Sequence, residues 1–410
     1  MLHLCAQFPG DYGLHDPCGD GKHTVVTIIP LRMPLPFRSP IFARAHRLLV
    51  RVLKQHRNRA PSVLFLTTFA IFVVAMLSSS SSPPSAATHL ASMPIALRLV
   101  VITGGTRVDS LYRLLESLCN LKSDGDRLDL DVWIDVTEDV PPESELREKR
   151  LMAADIVTLG TNGTYGHGVV RAHIWDTHMG LRGQWLEAWH ASIPGGLTET
   201  TKEIGLILED DLQLSPFAWR WMKAAYAAYG QDPRVAGFTV QRASLCLARC
   251  PNINGGPDDA GGGFLYGVLG TWGYSPTAKS FASFRRWYFS LPDDYKPYVD
   301  GITPTDWYKN FEKAGTASTR MWSMHHIKYT ETHESKYTVY VKCRGGKTLG
   351  VNYREAGLNF DGKDPSKTGA THEMLTEWDP NLVAFAKDPF VLDYRTTVVG
   401  GSGLAGGALE

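Results

Sequence analysis

Three acids in a row follow an apolar run: IGLIL at 204–208, then Glu209, Asp210 and Asp211. The run reads as a strand buried on both faces. Ligands of layered α/β sheets bind at the carboxyl ends of such strands. Carboxylates packed this closely raise one another's pKa and oppose folding unless a cation joins them. Mg²⁺ and Mn²⁺ favour carboxylate oxygens together with substrate phosphates. The triplet therefore reads as a divalent-metal site that holds a nucleotide diphosphate. Side chains alternate along an extended chain, so the three acids do not all face one way. Asp211 is expected to meet the metal, with Glu209 and Asp210 directed at sugar hydroxyls or at the loop. The bland alternative is a solvated acidic turn ahead of the helix that Ser215-Pro216 begins, since acids favour helix N-termini.

Other candidate chemistries fall away. VVITGGTR at 100–107 looks like the first strand and turn of a dinucleotide-binding dehydrogenase, but no third glycine follows in the required spacing. No tyrosine has a lysine four residues on, as short-chain dehydrogenases require. The six cysteines include no CxxC pair, so a structural zinc site is not expected. Cys246 and Cys250 are close enough for a small disulfide loop. His325, His326 and His333 form a loose cluster, one of which could complete a metal shell or simply be core. Lys+Arg and Asp+Glu stand at 42 each, which argues against a nucleic-acid partner.

The elements that position the triplet follow from periodicity. Residues 97–103, 128–136, 204–208, 235–240 and 338–341 read as strands. Leu111, Leu114, Leu115 and Leu118 predict an amphipathic helix over 108–120. Further helices are predicted near 143–153, across much of 168–190 with a break at Gly180 or Gly183, after Ser215-Pro216, and over 277–290. Strands alternating with helices predict an α/β fold: a mostly parallel sheet with helices on both faces, of the nucleotide-diphospho-sugar transferase type.

Residues 62–77, SVLFLTTFAIFVVAML, carry no charge and no proline. Arginines and lysines precede the run and a Ser/Pro-rich stretch follows it. This reads as a single signal anchor with the C-terminal part luminal, in the Golgi or endoplasmic reticulum membrane. A cleaved signal peptide is the alternative. The resulting division is a disordered cytoplasmic segment at 1–60, the anchor at 61–78, a stem at 79–94, a catalytic domain at 95–395 and a flexible tail at 396–410.

From about 96 to 340 the chain resembles metal-dependent nucleotide-sugar glycosyltransferases, of the N-acetylglucosaminyltransferase I type and family-2-like relatives. The resemblance is carried by HMGLRGQWLEAW (178–189) followed by LILEDDLQLSPFAWRWM (206–222), by LGTWGYS (269–275) and by TDWYK (305–309). It implies a nucleotide-sugar donor, UDP-linked, a glycan, glycoprotein or glycolipid acceptor, and Mn²⁺ or Mg²⁺. It assigns the metal to Asp211. Donor contacts fall to Arg107, Asp135 at the uracil edge, His178 at the uridine, Glu209 and Asp210. Trp272 and Trp307 would face the acceptor, and Asp306 would be the catalytic base of an inverting transfer. Where that family has a second acid beside its base, this chain has Thr305. Two rivals remain: a nucleotidyltransferase making nucleotide-sugars, and an inactive sugar-binding membrane protein.

Overall fold

The apolar runs become strands because both of their faces are covered. In the computed structural model, described over residues 23–25, 93–243, 261–300, 302–313, 315, 322–355, 369–394 and 396–401, the strands join into one 14-stranded mixed sheet. In chain order the elements are β1 (His23–Val25), β2 (Ile95–Thr103), α1 (Val108–Cys119), β3 (Arg127–Ile134), α2 (Glu143–Thr161), β4 (Val170–Trp175), α3 (Gly180–Ser192), β5 (Ile204–Glu209) and β6 (Leu212–Leu214). Then come α4 (Ala218–Tyr229), β7 (Val235–Arg242), β8 (Gly263–Tyr266), β9 (Tyr274–Pro276), α5 (Ala278–Phe289), α6 (Thr303–Lys313), α7 (Trp322–Tyr329) and β10 (Tyr337–Val341). Last are β11 (Gly350–Arg354), β12 (Gly369–Ala370), β13 (Val391–Leu392) and β14 (Val398–Gly400).

The longest ladders are parallel and lie side by side in the order β4-β3-β2-β5. Beyond them the antiparallel β9 leads to β7, β10, β8, β13 and β14. Alternation along each strand feeds two cores. Leu97, Leu99 and Val101 pack with Leu111, Leu114 and Ile156 under α1, α2 and α4. Val100, Ile102 and Ile207 pack with Trp185, Trp189 and Phe281 under α3, α5, α6 and α7. The α/β class with helices on both faces is thus observed.

Several local expectations change. Residues 168–190 do not begin as a helix: Val170, Ala172 and Ile174 face one core while Arg171, His173 and Trp175 take the other face, which is the period of a strand. β4 pairs with β3 from Leu130↔Val170 to Ile134↔Ile174, and Trp133 stacks on both His173 and Trp175. Gly180 lies at the start of α3, at φ +63°, and Gly183 lies inside that helix. Helix α2 runs on to Thr161. Helix α4 starts at Ala218, and the Ser215 hydroxyl donates to the Leu375 carbonyl while accepting from the Phe217 amide.

His23–Val25 falls in the stretch read as disordered and cytoplasmic, yet it pairs antiparallel with β4. Likewise Val398–Gly400, read as flexible tail, pairs with β13. The apolar run 62–77, the stem up to residue 92 and Cys246 with Cys250 lie outside the described residues. Among the described residues no helix is long and apolar enough to cross a membrane, and Cys119 and Cys343 are free thiols.

The amino-terminal half of the parallel strands carries a buried charge network. Arg98 is 3% exposed and donates to Asp131 at 2.5 Å and to Glu203. Asp131 also lies 2.7 Å from His173 Nε2. Burial alone would raise the Asp131 pKa, but His173 and Arg98 outweigh it and hold the carboxyl below its ordinary value.

Two of the three clustered histidines are core. His325 and His326 are buried, and His326 Nε2 sits 3.3 Å from the Tyr274 hydroxyl with Phe284 and Trp322 edge-on to its ring. His333 is exposed and stacks on Tyr329. Burial, helped by Lys336, pushes the His326 pKa from 6.5 down to about 3. The unfolded chain therefore binds a proton that the folded protein refuses between those two pH values. Stability is expected to rise with pH across that window, by up to about 1.4 kcal/mol per pH unit from this group. Urea unfolding of His326→Gln should show a shallower acid limb; an unchanged limb would remove His326 from this role.

Candidate functional site

The triplet sits where β5 ends, between the carboxyl ends of β2 and the short strand β6. β11 pairs with β6, and the Tyr353 amide donates to the Asp211 carbonyl at 2.8 Å, which carries Glu355 to the same edge. The turn after β2 brings Arg107 in from the other side.

Arg107 answers much of the charge problem. Its guanidinium donates to Asp211 Oδ2 at 3.0 Å and to Asp210 Oδ1. Asp210, 2% exposed, also accepts from the Thr103 hydroxyl at 2.6 Å. Glu209 accepts from the Trp185 indole N–H at 3.0 Å. The three acids diverge as the alternation requires: one to α3, one into the β2 turn, one to the cleft side. The cation argued for from sequence is thus partly supplied by the chain itself, and Arg107, expected on the nucleotide, is committed here to the acids.

The residual strain is visible in the pKa directions. Burial, together with Asp211 and Asp210, pushes Glu209 up to about 8 against the Trp185 hydrogen bond. Burial raises Asp210 and Asp211 despite Arg107, and Glu355 adds to the load on Asp211. Asp211 Oδ1 is buried with no hydrogen-bond partner among the described residues. That orphaned oxygen fits a cation. The described residues contain no group of three His, Cys, Asp or Glu side chains able to hold a metal alone. Mg²⁺ and Mn²⁺ do not need one, since one or two carboxylates plus phosphates and water suffice.

A cleft of about 360 Å³ opens beside Arg107, lined by Thr106, Arg107, Val108, Asp109, Ser110 and Glu355. Glu355 is fixed there by the Ser110 hydroxyl and by Arg113 at 2.7 Å, and Arg113 lies 3.8 Å over the Tyr353 ring. Thr103, Trp185, Ser110, Arg113 and Glu355 were all missed from sequence. Thr103 had a signal, as the last residue of an apolar run whose carboxyl end binds ligands. Glu355 had none, since its partners are 245 residues away.

Asp135 and His178 meet, but not as expected. The Asp135 carboxylate, 4% exposed, accepts from the amides of Val136, Met179 and Gly180 at 3.0, 2.8 and 2.8 Å. It serves the free N–H groups at the start of α3, where a carboxylate is favoured. Three backbone amides thus share the carboxylate that was expected at a uracil edge. His178 Nδ1 lies 2.6 Å from the Val136 carbonyl and 3.3 Å from Asp135, with the ring about half exposed. A donor N–H at Nδ1 leaves Nε2 as the acceptor. A second cavity of about 260 Å³ lies at the end of β4, walled by Val140, Pro141, Leu146 and Trp175 with Asp139, Arg150 and Asp176.

The remaining expected residues come from the approach to β9 and from α6. Trp272 is half-buried, its backbone N–H donating to Gln241 Oε1 at 3.1 Å and its ring 6.0 Å from His372. β9 pairs antiparallel with β5 at Ile207↔Tyr274, which runs Trp272 toward the Glu209 end of β5. Asp306 and Trp307 are exposed on α6. No hydrogen bond or ion pair among the described residues joins Asp306 or Trp307 to the triplet.

No protein-family model matches the chain, and no curated protein matches it in sequence. Among solved structures it is similar to residues 1–349 of TarS from S. aureus, with 10% identity, 61% of this chain and 59% of that one covered, and a TM-score of 0.33. A further TarS structure gives 12% identity, 61% and 37% coverage and 0.30. The apo-form glycosyltransferase GlyE from Streptococcus pneumoniae gives 9% identity, 62% and 55% coverage and 0.29. The matched region spans less than two thirds of each of those chains, and similarity at this level carries no argument about function.

Proposed function

We propose that this chain is a glycosyltransferase that moves a sugar from a nucleotide-sugar to an acceptor hydroxyl, with a divalent cation held at Asp211. The observation that carries the reading is the Glu209–Asp211 triplet at the carboxyl end of a central parallel strand, with Asp211 Oδ1 buried and unpartnered among the described residues. Mn²⁺ or Mg²⁺, when bound there, would neutralise the charge developing on a leaving nucleoside diphosphate. Arg107 lies beside that position and supplies a second, fixed positive charge. Thr103 and Trp185 hold Asp210 and Glu209 in place, so the acids need no reorganisation during reaction. UDP is the proposed nucleotide.

Asp306, exposed on α6, is the proposed catalytic base. The acceptor is proposed to be a glycan or a glycosylated protein or lipid. Calorimetry on the full chain with UDP, GDP and NAD, each with and without Mn²⁺, tests the reading. Metal-dependent binding of one nucleoside diphosphate is expected. Metal-independent binding of NAD, or no nucleotide bound at all, would reject it.

A further inference from the structure

We propose that Lys149 is a positioning residue of the triplet site, holding the turn at 104–107 so that Arg107 meets Asp210 and Asp211. In its nucleotide arm the proposal rests on the functional reading above.

Lys149 stands where an apolar residue belongs. The core-facing stripe of α2 is Lys149, Ala153, Ile156 and Val157, the spacing of one helix face. Lysine is almost never this buried without a partner, and here it is 5% exposed. Its ammonium does not follow the helix surface to solvent. It reaches over the end of β2 and donates to the Gly104 carbonyl at 2.5 Å, its one hydrogen-bond acceptor among the described residues. Glu145, 3.9 Å away, is already held by the amide and hydroxyl of Thr137. Asp135 and Glu148 also act on Lys149 through space, and the Asp135 carboxylate is engaged with α3.

The turn is built around this ammonium. Gly105 has φ +66°, which disfavours any side chain. A Cβ there would lie 2.8 Å from Lys149 Nζ and 3.2 Å from the Ile134 side chain. Gly105 thus leaves the space that Lys149 fills. The Gly105 amide is tied to the Thr103 hydroxyl, which in turn donates to Asp210. Two residues on, Arg107 leaves the turn toward the acids. Lys149 therefore clamps one side of a four-residue turn whose other end delivers the guanidinium. Lys149 touches neither Arg107 nor the triplet in any described contact, so its effect on them is exerted through the turn.

A double-mutant cycle on the full chain tests this, using Lys149→Met, Arg107→Ala and the pair. Lys149→Met keeps the length and removes the charge. It is expected to weaken Mn²⁺-dependent UDP binding about tenfold, the scale of supporting contacts around a metal site. In the Arg107→Ala background the same change should have less than about a twofold effect, because the residue it acts through is gone. Urea midpoints measured without ligand should be sub-additive in the same sense. Additive effects in the urea cycle, or undiminished nucleotide binding by Lys149→Met, would make Lys149 a packing residue only and overturn the proposal. If the unmodified chain binds no UDP, the nucleotide reading fails and the ligand-free cycle alone decides the positioning. Should Lys149→Met not fold, Lys149→Gln, which keeps an N–H donor, carries the same cycle.

Discussion

Replacing Asp211 with asparagine is expected to weaken Mn²⁺-dependent nucleotide binding on the order of 100-fold, with the melting temperature unchanged or raised. The two halves of that result have one cause. Asp211 is held above its ordinary pKa, by burial first and by Glu355 among its neighbours, with Arg107 offsetting only part. A carboxylate in that state works against folding. Asparagine has the same shape, removes the charge and leaves Arg107 to Asp210. It also removes the anionic oxygen, Oδ1, that has no hydrogen-bond partner among the described residues. Loss of binding with retained stability is the signature of a residue kept for a ligand rather than for the fold. Retained binding in Asp211→Asn would place the metal elsewhere.

Arg107→Ala should have the largest effect on stability, about 3 kcal/mol at neutral pH without metal, as for removal of one partner of a buried ion pair. Asp210 would be left 2% exposed with only the Thr103 hydroxyl, and Asp211 with none of its present charge partners. The pH dependence has a definite sign. Both acids already titrate above their ordinary value, and losing Arg107 raises them further. The folded variant then binds protons that the unfolded chain has released. Its stability is greatest below the ordinary carboxylate range and falls as pH rises through the raised values. Mn²⁺ should restore part of the loss, because a ligand that binds only the folded state stabilises it by mass action. Urea unfolding at pH 5 and pH 8, with and without Mn²⁺, reads all three effects. Stability equal to that of the unmodified chain at pH 8 without metal would show that Arg107 is not the counter-charge.

The parallel strands were legible because burial on both faces leaves continuous apolar runs, as at 97–103 and 204–208. Helix α1 was legible because Leu111, Leu114, Leu115 and Leu118 mark one face. β4 was not, because its Arg171 and His173 are paired to Asp129 and Asp131 of the neighbouring strand, a pairing no local pattern reveals. The triplet was found because strand and acids adjoin in sequence. Arg107 was expected at the site, but the rest of its surroundings were not legible, since Thr103, Trp185 and Glu355 arrive from three separate parts of the chain. The Asp135 contacts were hidden for a related reason: an acid at a strand end looks the same in sequence whether or not it serves the helix that starts 45 residues later at Gly180. Lys149 carried a signal that periodicity offers but that is easily passed over, a charge on the apolar stripe of α2.

The most direct test of sugar transfer at this site is nucleotide release. The full chain would be incubated with UDP-sugars and a mixture of glycan acceptors, with Mn²⁺ or with EDTA, and free UDP and labelled product measured. Acceptor-dependent UDP release that requires Mn²⁺ and is lost in Asp211→Asn is the expected result. Release that persists in EDTA, or in Asp211→Asn with Mn²⁺ present, would contradict a metal-dependent transferase centred on the triplet.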